Sequence, residues 1–253
     1  MRDPSRFFVG GVGISCIDMA SALDSLFAHA AVRRGGYYAF TCSHGVVDAQ
    51  TDEALRGILN RADLTLPDGM PLVWFGRSKG HAVGRVSAPD FMEAALRDPR
   101  ARSLRHYFYG ASPEVVTRIA RRAERLLGRG AIAGCHSPPM RPAGATEDPE
   151  ILARMAQSHP HLIWVGLGLP KQEYWMASHA AHFQSSLMLG VGAAFDWFAG
   201  SQPRAPRWMR AAGLEWAHRV MSDPARLWPR YRRVVPRALT ILGRDLMSGQ
   251  GDR

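Results

Sequence analysis

Short apolar runs alternate with helical patterns along most of this 253-residue chain. The runs that predict strands lie at 7–14, 37–41, 63–66, 105–109, 131–135, 162–165 and 186–189. The segments between them predict helices, including one over 46–60 and two others that Asp18 and Ser112 would cap. Parallel strands need long crossover connections, which are usually helical. We therefore expect an α/β fold with a mostly parallel sheet and helices on both faces.

Glycines or polar side chains follow the carboxyl ends of several predicted strands. They are Thr41 and Ser43, Asp68, Gly110, Gly168 and Gln172 within 166–172, and Gly190 with Gly192. In an open α/β sheet these strand ends face one crevice, where ligands bind. Their repetition predicts a binding site there, which a single glycine loop would not do.

Asp68 lies between Pro67 and Gly69, in a turn that can hold a carboxylate at the mouth of the crevice. Spacing alone favours another role for this residue, the N-cap of a helix that begins at Met70. Both interpretations stay open at the level of the sequence.

The motifs of several other enzyme classes are missing. A nicotinamide-dependent oxidoreductase needs a third glycine after Gly11 and Gly13 and a ribose-binding acid about 20 residues further on, and both are absent. The chain has no Walker sequence for phosphates, no HExxH and no GxSxG. The sequence identifies no partner for His44, His106 or His136, so we interpret them as structural or surface residues.

The positive charge is concentrated near the C-terminus. Residues 201–253 hold 11 Arg and 4 acidic residues, so they supply +7 of the net charge of +10. Arg204, Arg207 and Arg210 recur there at every third position, which predicts an anionic partner or else a solvated basic helix face. An RNA-binding protein is disfavoured because the charge is local and no RNA-binding signature occurs. We divide the chain into a core, residues 1–200, and a basic helical appendage, residues 201–253.

The cysteines and the apolar segments bear on localisation. Cys16, Cys42 and Cys135 lie far apart and form no CxxC pair, which favours a reducing compartment and no structural zinc. Residues 1–8 lack the apolar region of a signal peptide. No apolar stretch approaches the roughly 20 residues that span a bilayer. We expect a cytoplasmic protein that at most lies on a membrane surface.

Five blocks of the sequence resemble the bacterial WecG/TagA/CpsF glycosyltransferase family. They read ADLTLPDG at 62–69, RVSAPDFM at 85–92, GLGLPKQE at 166–173, GVGAAFD at 190–196, and RAPRWM followed by GLEW within 204–216. The blocks occur in the order of the family. The resemblance implies a Rossmann-like core with a C-terminal appendage. It also implies an inverting enzyme that moves a sugar from a UDP-sugar to a polyprenyl-diphosphate-linked saccharide.

The resemblance implies N-acetylmannosamine as the transferred sugar, with UDP-glucose or UDP-glucuronate as alternative donors. The product would belong to a bacterial surface polysaccharide or a cell-wall polymer. The chain departs from the family pattern at Cys42, where Asn is usual, at Ala88, where Gly is common, and at 136–139. These departures leave the donor sugar open, but they do not affect the expected class of reaction.

The resemblance also implies roles for particular residues. Asp68 matches the general base, which takes the proton of the acceptor hydroxyl. Arg85, Gln172, Gly190 and Gly192 match contacts to the nucleotide and its phosphates. Further substrate contacts are expected from Thr41, Ser43, Asp90, Gly168, Arg204, Arg219 and Arg226. Because the chain has no DxD-type metal motif, we expect a metal-independent reaction without a cofactor, in which Arg and backbone N–H groups neutralise the leaving UDP.

Aromatic residues lie among the arginines of the appendage. Trp208, Trp216, Trp228 and Tyr231 are interspersed with Arg, and 234–246 is moderately amphipathic. Such a segment suits the headgroup region of an anionic leaflet. We therefore expect the appendage to complete the active site and to hold the enzyme on the inner face of the cytoplasmic membrane. Whether the protein forms a homo-oligomer stays open.

Overall fold

The structure is a computed structural model that describes residues 4–140, 142–211 and 213–248, apart from the side chains of Arg207, Ala211, Arg219 and Arg226. The strands are β1 (Arg6–Val9), β2 (Val12–Ser15), β3 (Gly36–Thr41), β4 (Leu64–Pro67), β5 (His106–Gly110), β6 (Ile132–His136), β7 (Leu162–Gly166) and β8 (Leu187–Gly190). The helices of the first half are α1 (Met19–Ala31), α2 (Ser43–Asp48), α3 (Glu53–Arg61), α4 (Met70–Ser78), α5 (Ala88–Arg97) and α6 (Pro113–Leu127). Those of the second half are α7 (Pro149–Gln157), α8 (Lys171–His179), α9 (Ala194–Ala199), α10 (Arg207–Ala211), α11 (Glu215–Ser222) and α12 (Pro224–Met247).

Strands β3 to β8 form one parallel sheet in the order β4-β3-β8-β7-β5-β6. Side chains alternate along β3, where Tyr38 and Phe40 pack in one apolar cluster and Tyr37 and Ala39 pack in another. Each face of the sheet is thus covered, which is why the strands read as apolar runs rather than as alternating patterns. The predicted α/β fold with a mostly parallel sheet is confirmed.

Two predicted elements are wrong in detail. The run 7–14 is not one strand but the antiparallel hairpin β1–β2, because Gly10 and Gly11 turn the chain with φ of 55° and 76°. The helix predicted over 46–60 is two helices, α2 and α3. The Asp52 carboxylate caps α3 by accepting the N–H of Leu55 at 2.9 Å.

The appendage is helical, as predicted, and its last helix packs on the core. Helix α12 lies against α2 and β1, and its Val234, Ala238 and Ile241 are buried in the same apolar cluster as the β1–β2 hairpin. The buried Asp245 accepts the backbone N–H of Gly10 at 2.6 Å. Whether residues 1–200 form a separate domain stays a prediction. Within the described ranges, no helix has both the length and the apolar character needed to cross a membrane.

Candidate active site

The carboxyl ends of β3, β4, β7 and β8 open into a cavity of about 790 Å³, whose opposite wall comes from α11 and α12. A cavity of this size suits a small-molecule ligand. Seven predicted site residues line it, namely Ser43, Asp68, Arg85, Gly168, Gln172, Gly190 and Gly192. The sheet topology therefore brings together residues that are spread over 150 positions of sequence.

Three other predicted site residues, Thr41, Asp90 and Arg204, lie outside the lining. Thr41 is fully buried, and its carbonyl oxygen accepts the N–H of Asp68 at 2.9 Å. Asp90 and Arg204 bind each other beside the cavity, with Nη–Oδ distances of 2.6 and 2.9 Å. The side chains of Arg219 and Arg226 are outside the described part of the chain, so their expected substrate contacts stay predictions.

Asp68 lies at the mouth of the cavity, in the turn after β4. The interpretation of Asp68 as the N-cap of the helix from Met70 is wrong, because Gly69 occupies that position. Its carboxylate instead accepts the N–H of Ala88 at 3.3 Å, in the first turn of α5. The N-terminus of a helix stabilises a nearby negative charge. The arrangement therefore holds a charged carboxylate beside the space where a ligand hydroxyl can lie.

Gln172 joins two strand-end loops rather than facing the cavity with free polar groups. Its Oε1 accepts the N–H of Gly168 at 3.1 Å, and its Nε2 donates to the carbonyl of Gly190 at 2.6 Å. The glycines leave room for this side chain, since a Cβ on Gly190 or Gly192 would lie 3.1 Å from the Gln172 amide. These contacts indicate that Gln172 mainly fixes the loops that contain Gly168 and Gly190.

Glu173, beside Gln172, is a fully buried carboxyl that sequence analysis did not single out. Its Oε1 accepts the Nε2–H of Gln172 at 3.0 Å, while no hydrogen-bond partner for its Oε2 lies in the described residues. Burial raises its pKa to about 7, although the hydrogen bond from Gln172 opposes this shift. Its position in the GLGLPKQE block was the only sequence signal for this glutamate, which lies in the first turn of α8.

Arg85 lines the cavity, but its guanidinium is engaged by three protein oxygens. Its Nε donates to the Asp68 carbonyl at 2.8 Å, Nη1 to the Arg210 carbonyl at 3.1 Å, and Nη2 to the Glu215 carboxylate at 2.7 Å. Glu215 is buried and also accepts from Nε of Arg204 at 3.2 Å. Its position in the GLEW block was the only sequence signal for it.

Asp90 completes this group of charges. It accepts hydrogen bonds from Arg204, Arg210 and the Ser87 hydroxyl. Burial alone would raise the pKa of Asp90, but the hydrogen bonds from Arg204 and Ser87 and the nearby arginine charges hold it below the ordinary value. Asp90 is therefore a charged anchor for the appendage, and its expected substrate contact stays a prediction.

Two of the histidines have partners that the sequence did not reveal. His44 lines the cavity, and its Nε2 lies 3.0 Å from Asp48, which Arg233 of α12 also contacts at 2.8 Å. His106 is fully buried between the Ala101 carbonyl and the Trp164 indole. Burial lowers the pKa of His106 to about 4, so it stays neutral and structural.

Among the residues that the structure describes, three cationic side chains line the cavity: Arg85, Lys171 and Arg230. Arg85 is paired with Glu215, whereas no carboxylate of the described residues lies within ion-pair distance of Lys171 or Arg230. Lys171 begins α8, next to the loops that Gln172 fixes. The described ranges contain no group of three or more His, Cys, Asp or Glu that could hold a metal ion. The lining also holds the carboxylates of Asp68, Asp196 and the arginine-paired Glu215, so the arrangement suits an anionic ligand beside a carboxylate.

Comparisons with known proteins agree with this site. A family model described as the glycosyl transferase WecG/TagA/CpsF family matches residues 7–251. A protein of Bacillus spizizenii is 28% identical over 205 residues, which is 80% of this chain and 77% of the relative. A protein of Bacillus subtilis is 28% identical over 187 residues, or 73% of this chain and 70% of the relative. Both relatives are named N-acetylglucosaminyldiphosphoundecaprenol N-acetyl-beta-D-mannosaminyltransferase.

Proposed function

Because the chain belongs to the WecG/TagA/CpsF family of glycosyltransferases, we propose that it moves a sugar from a UDP-sugar to a polyprenyl-diphosphate-linked saccharide, with inversion at the anomeric carbon. The observation that carries this proposal is the position of Asp68, a carboxylate at the cavity that the parallel strands form. We propose that the product serves the synthesis of a surface polysaccharide or cell-wall polymer, as the family resemblance implies.

In the proposed reaction Asp68 takes the proton from the acceptor hydroxyl. The hydroxyl oxygen then attacks the anomeric carbon from the face opposite the diphosphate, and the bond to UDP breaks. An inverting transfer needs one such base and a stabilised leaving group. The contact between Asp68 and the N–H of Ala88 supports this role, because it orients the carboxylate.

The leaving diphosphate needs positive charge and hydrogen-bond donors. We propose that backbone N–H groups of the two loops around Gly168 and Gly192 supply donors, and that Lys171 and Arg230 supply charge. Arg85 is less suited to this task, since Glu215 neutralises it. Contacts from Arg219 and Arg226 are part of the proposal, and so is a reaction that needs no metal.

N-acetylmannosamine is the first choice for the transferred sugar, and a diphosphate-linked N-acetylglucosamine lipid is the first choice for the acceptor. The names of both relatives support these choices. UDP-glucose and UDP-glucuronate stay as alternative donors, because Cys42 lines the cavity at the position where the family usually has Asn.

We also propose that the appendage rests on an anionic membrane surface, on the cytoplasmic side. Large apolar side chains of the appendage are exposed, among them Trp208, Met221, Trp228 and Leu239. They lie between arginines, a combination that suits lipid headgroups. One of them, Leu239 of α12, also lines the cavity, where a lipid-linked acceptor would have to enter.

Two experiments test the proposed function. The first is a donor screen with the wild type, and the second measures UDP binding and turnover by the Asp68→Asn variant. The wild type should transfer sugar from UDP-N-acetylmannosamine to a short-chain polyprenyl-diphosphate N-acetylglucosamine. Asp68→Asn should bind UDP normally but turn over roughly 100- to 10,000-fold more slowly, which is the usual contribution of a general base. Asp24→Asn, at an exposed ion pair with Arg100, is the control. Near-normal turnover by Asp68→Asn would refute its role.

A further inference from the structure

We propose that Glu215 is a positioning residue: through Arg85 it holds the turn that carries Asp68 and docks the appendage against that turn. This proposal rests on the proposed function only in taking Asp68 as the base. The contacts that carry it join two segments more than 110 residues apart in sequence.

The first link runs from the base to the appendage. The Arg85 guanidinium binds the carbonyl of Asp68 on one side and the Glu215 carboxylate on another. Its third bond goes to the carbonyl of Arg210, at the end of the short helix α10. Arg85 thus bonds at once to the catalytic turn and to two consecutive helices of the appendage.

The second link returns from the appendage to the base. Glu215 accepts from Arg204, which binds Asp90 with two hydrogen bonds. Asp90 lies in the first turn of α5, and the N–H of Ala88 in that same turn binds the Asp68 carboxylate. The contacts therefore close a ring, in which Arg85 holds the carbonyl of Asp68 and the N–H of Ala88 holds its carboxylate.

The ion pair between Arg85 and Glu215 in this ring is largely shielded from solvent. The side chain of Glu215 is 9% exposed and that of Arg85 is 20% exposed, so neither charge is well solvated. Loss of Glu215 would leave the largely buried Arg85 charge without its carboxylate partner, and loss of Arg85 would leave Glu215 with Arg204 alone. While Glu215 neutralises Arg85, little of the arginine charge is available to a substrate phosphate. A positioning role and a phosphate-binding role for Arg85 therefore predict different kinetics.

The test compares Glu215→Gln, Arg85→Gln and the double variant in the full-length chain, with kcat, KM for the donor and the Kd of UDP as readouts. We expect each single variant to lower kcat by roughly 10- to 100-fold, because a catalytic group displaced by about 1 Å can cost that much. The Kd of UDP should change by less than about 2-fold. The double variant should be no slower than the worse single variant, since both residues act in one unit.

A phosphate-binding role predicts another pattern. Arg85→Gln would then raise the Kd of UDP by about 10-fold or more, the scale of one hydrogen bond to a charged group, while Glu215→Gln would leave it unchanged or tighten it. That result would overturn the proposal. Glu114→Gln, which removes an exposed ion pair with Arg118, is the matched control. If Glu215→Gln does not fold, Asp90→Asn breaks the ring at another point and must give the same loss of kcat.

Limited proteolysis separates this proposal from the proposed function. The loop at 201–206 connects the core to the appendage, and loss of the ring should make its cleavage faster in Glu215→Gln than in wild type and Glu114→Gln. This readout needs no substrate. A wild type without transferase activity would refute the proposed function, whereas unchanged cleavage of Glu215→Gln would refute the docking role.

Discussion

Glu173 provides a quantitative test of how the site is built. The folded protein holds this carboxyl in a dry environment, where burial raises its pKa from 4.5 to about 7. The native state therefore binds this proton more tightly than the unfolded chain does. Its stabilising effect is fully present below pH 4.5, and it is lost as the pH rises through 7.

The size of the effect follows from the pKa shift. A shift from 4.5 to about 7 corresponds to about 3 kcal/mol, at 1.36 kcal/mol for each pH unit. Glu173→Gln keeps an oxygen that can accept the hydrogen bond from Gln172, but it cannot ionise. Relative to wild type, its free energy of unfolding should rise by about 3 kcal/mol between pH 4.5 and pH 8.5.

The assay is urea unfolding of wild type and Glu173→Gln at several pH values between 4.5 and 8.5. Glu114→Gln, at a largely exposed carboxylate, should follow the wild type at every pH. If the difference in unfolding free energy between Glu173→Gln and wild type stays constant across this pH range, burial does not hold Glu173 protonated.

Further predictions concern the cations, the metal and the membrane. Lys171→Ala and Arg230→Ala should each weaken UDP binding by roughly 10-fold in calorimetry, and normal binding would remove these residues from the diphosphate site. Transfer should survive a chelator, and loss of activity that magnesium or manganese restores would contradict the metal-independent scheme. Met221→Ser with Trp228→Ser, two exposed side chains outside the cavity lining, should reduce co-sedimentation with anionic vesicles at constant kcat towards a water-soluble acceptor. High salt should release the wild type from the same vesicles, because it screens exposed charges.

The location of the site could be predicted from the sequence because it depends on one general property of parallel sheets. Burial on both faces makes such strands read as apolar runs, and the residues that follow them meet at one edge. This argument gave Asp68, Gly168 and Gly190 without any knowledge of side-chain contacts. It required only the spacing and the length of the apolar runs that predict strands.

The partners of these residues could not be predicted in the same way. The contacts of Arg85 with Arg210 and Glu215 depend on how the appendage folds back, which local patterns do not encode. Sequence analysis gave Arg85 a ligand contact, which stays a prediction, but it could not give the bonds of Arg85 to the protein itself. The break between α2 and α3 is different, because Asp52 is an ordinary N-cap and could have been recognised.

Polar contacts fix the appendage to the core near its start and near its end, and α12 also packs on the core through Val234, Ala238 and Ile241. Near its start, Glu215 and Arg204 join the ring around Asp68. Near its end, Asp245 binds Gly10 of the β1–β2 hairpin. Between them, Tyr231 and Leu239 line the cavity on one side of α12 and lie among exposed basic and apolar residues. A lipid-linked ligand that meets this surface therefore meets the cavity at the same place, so membrane contact and acceptor entry need not be separate steps.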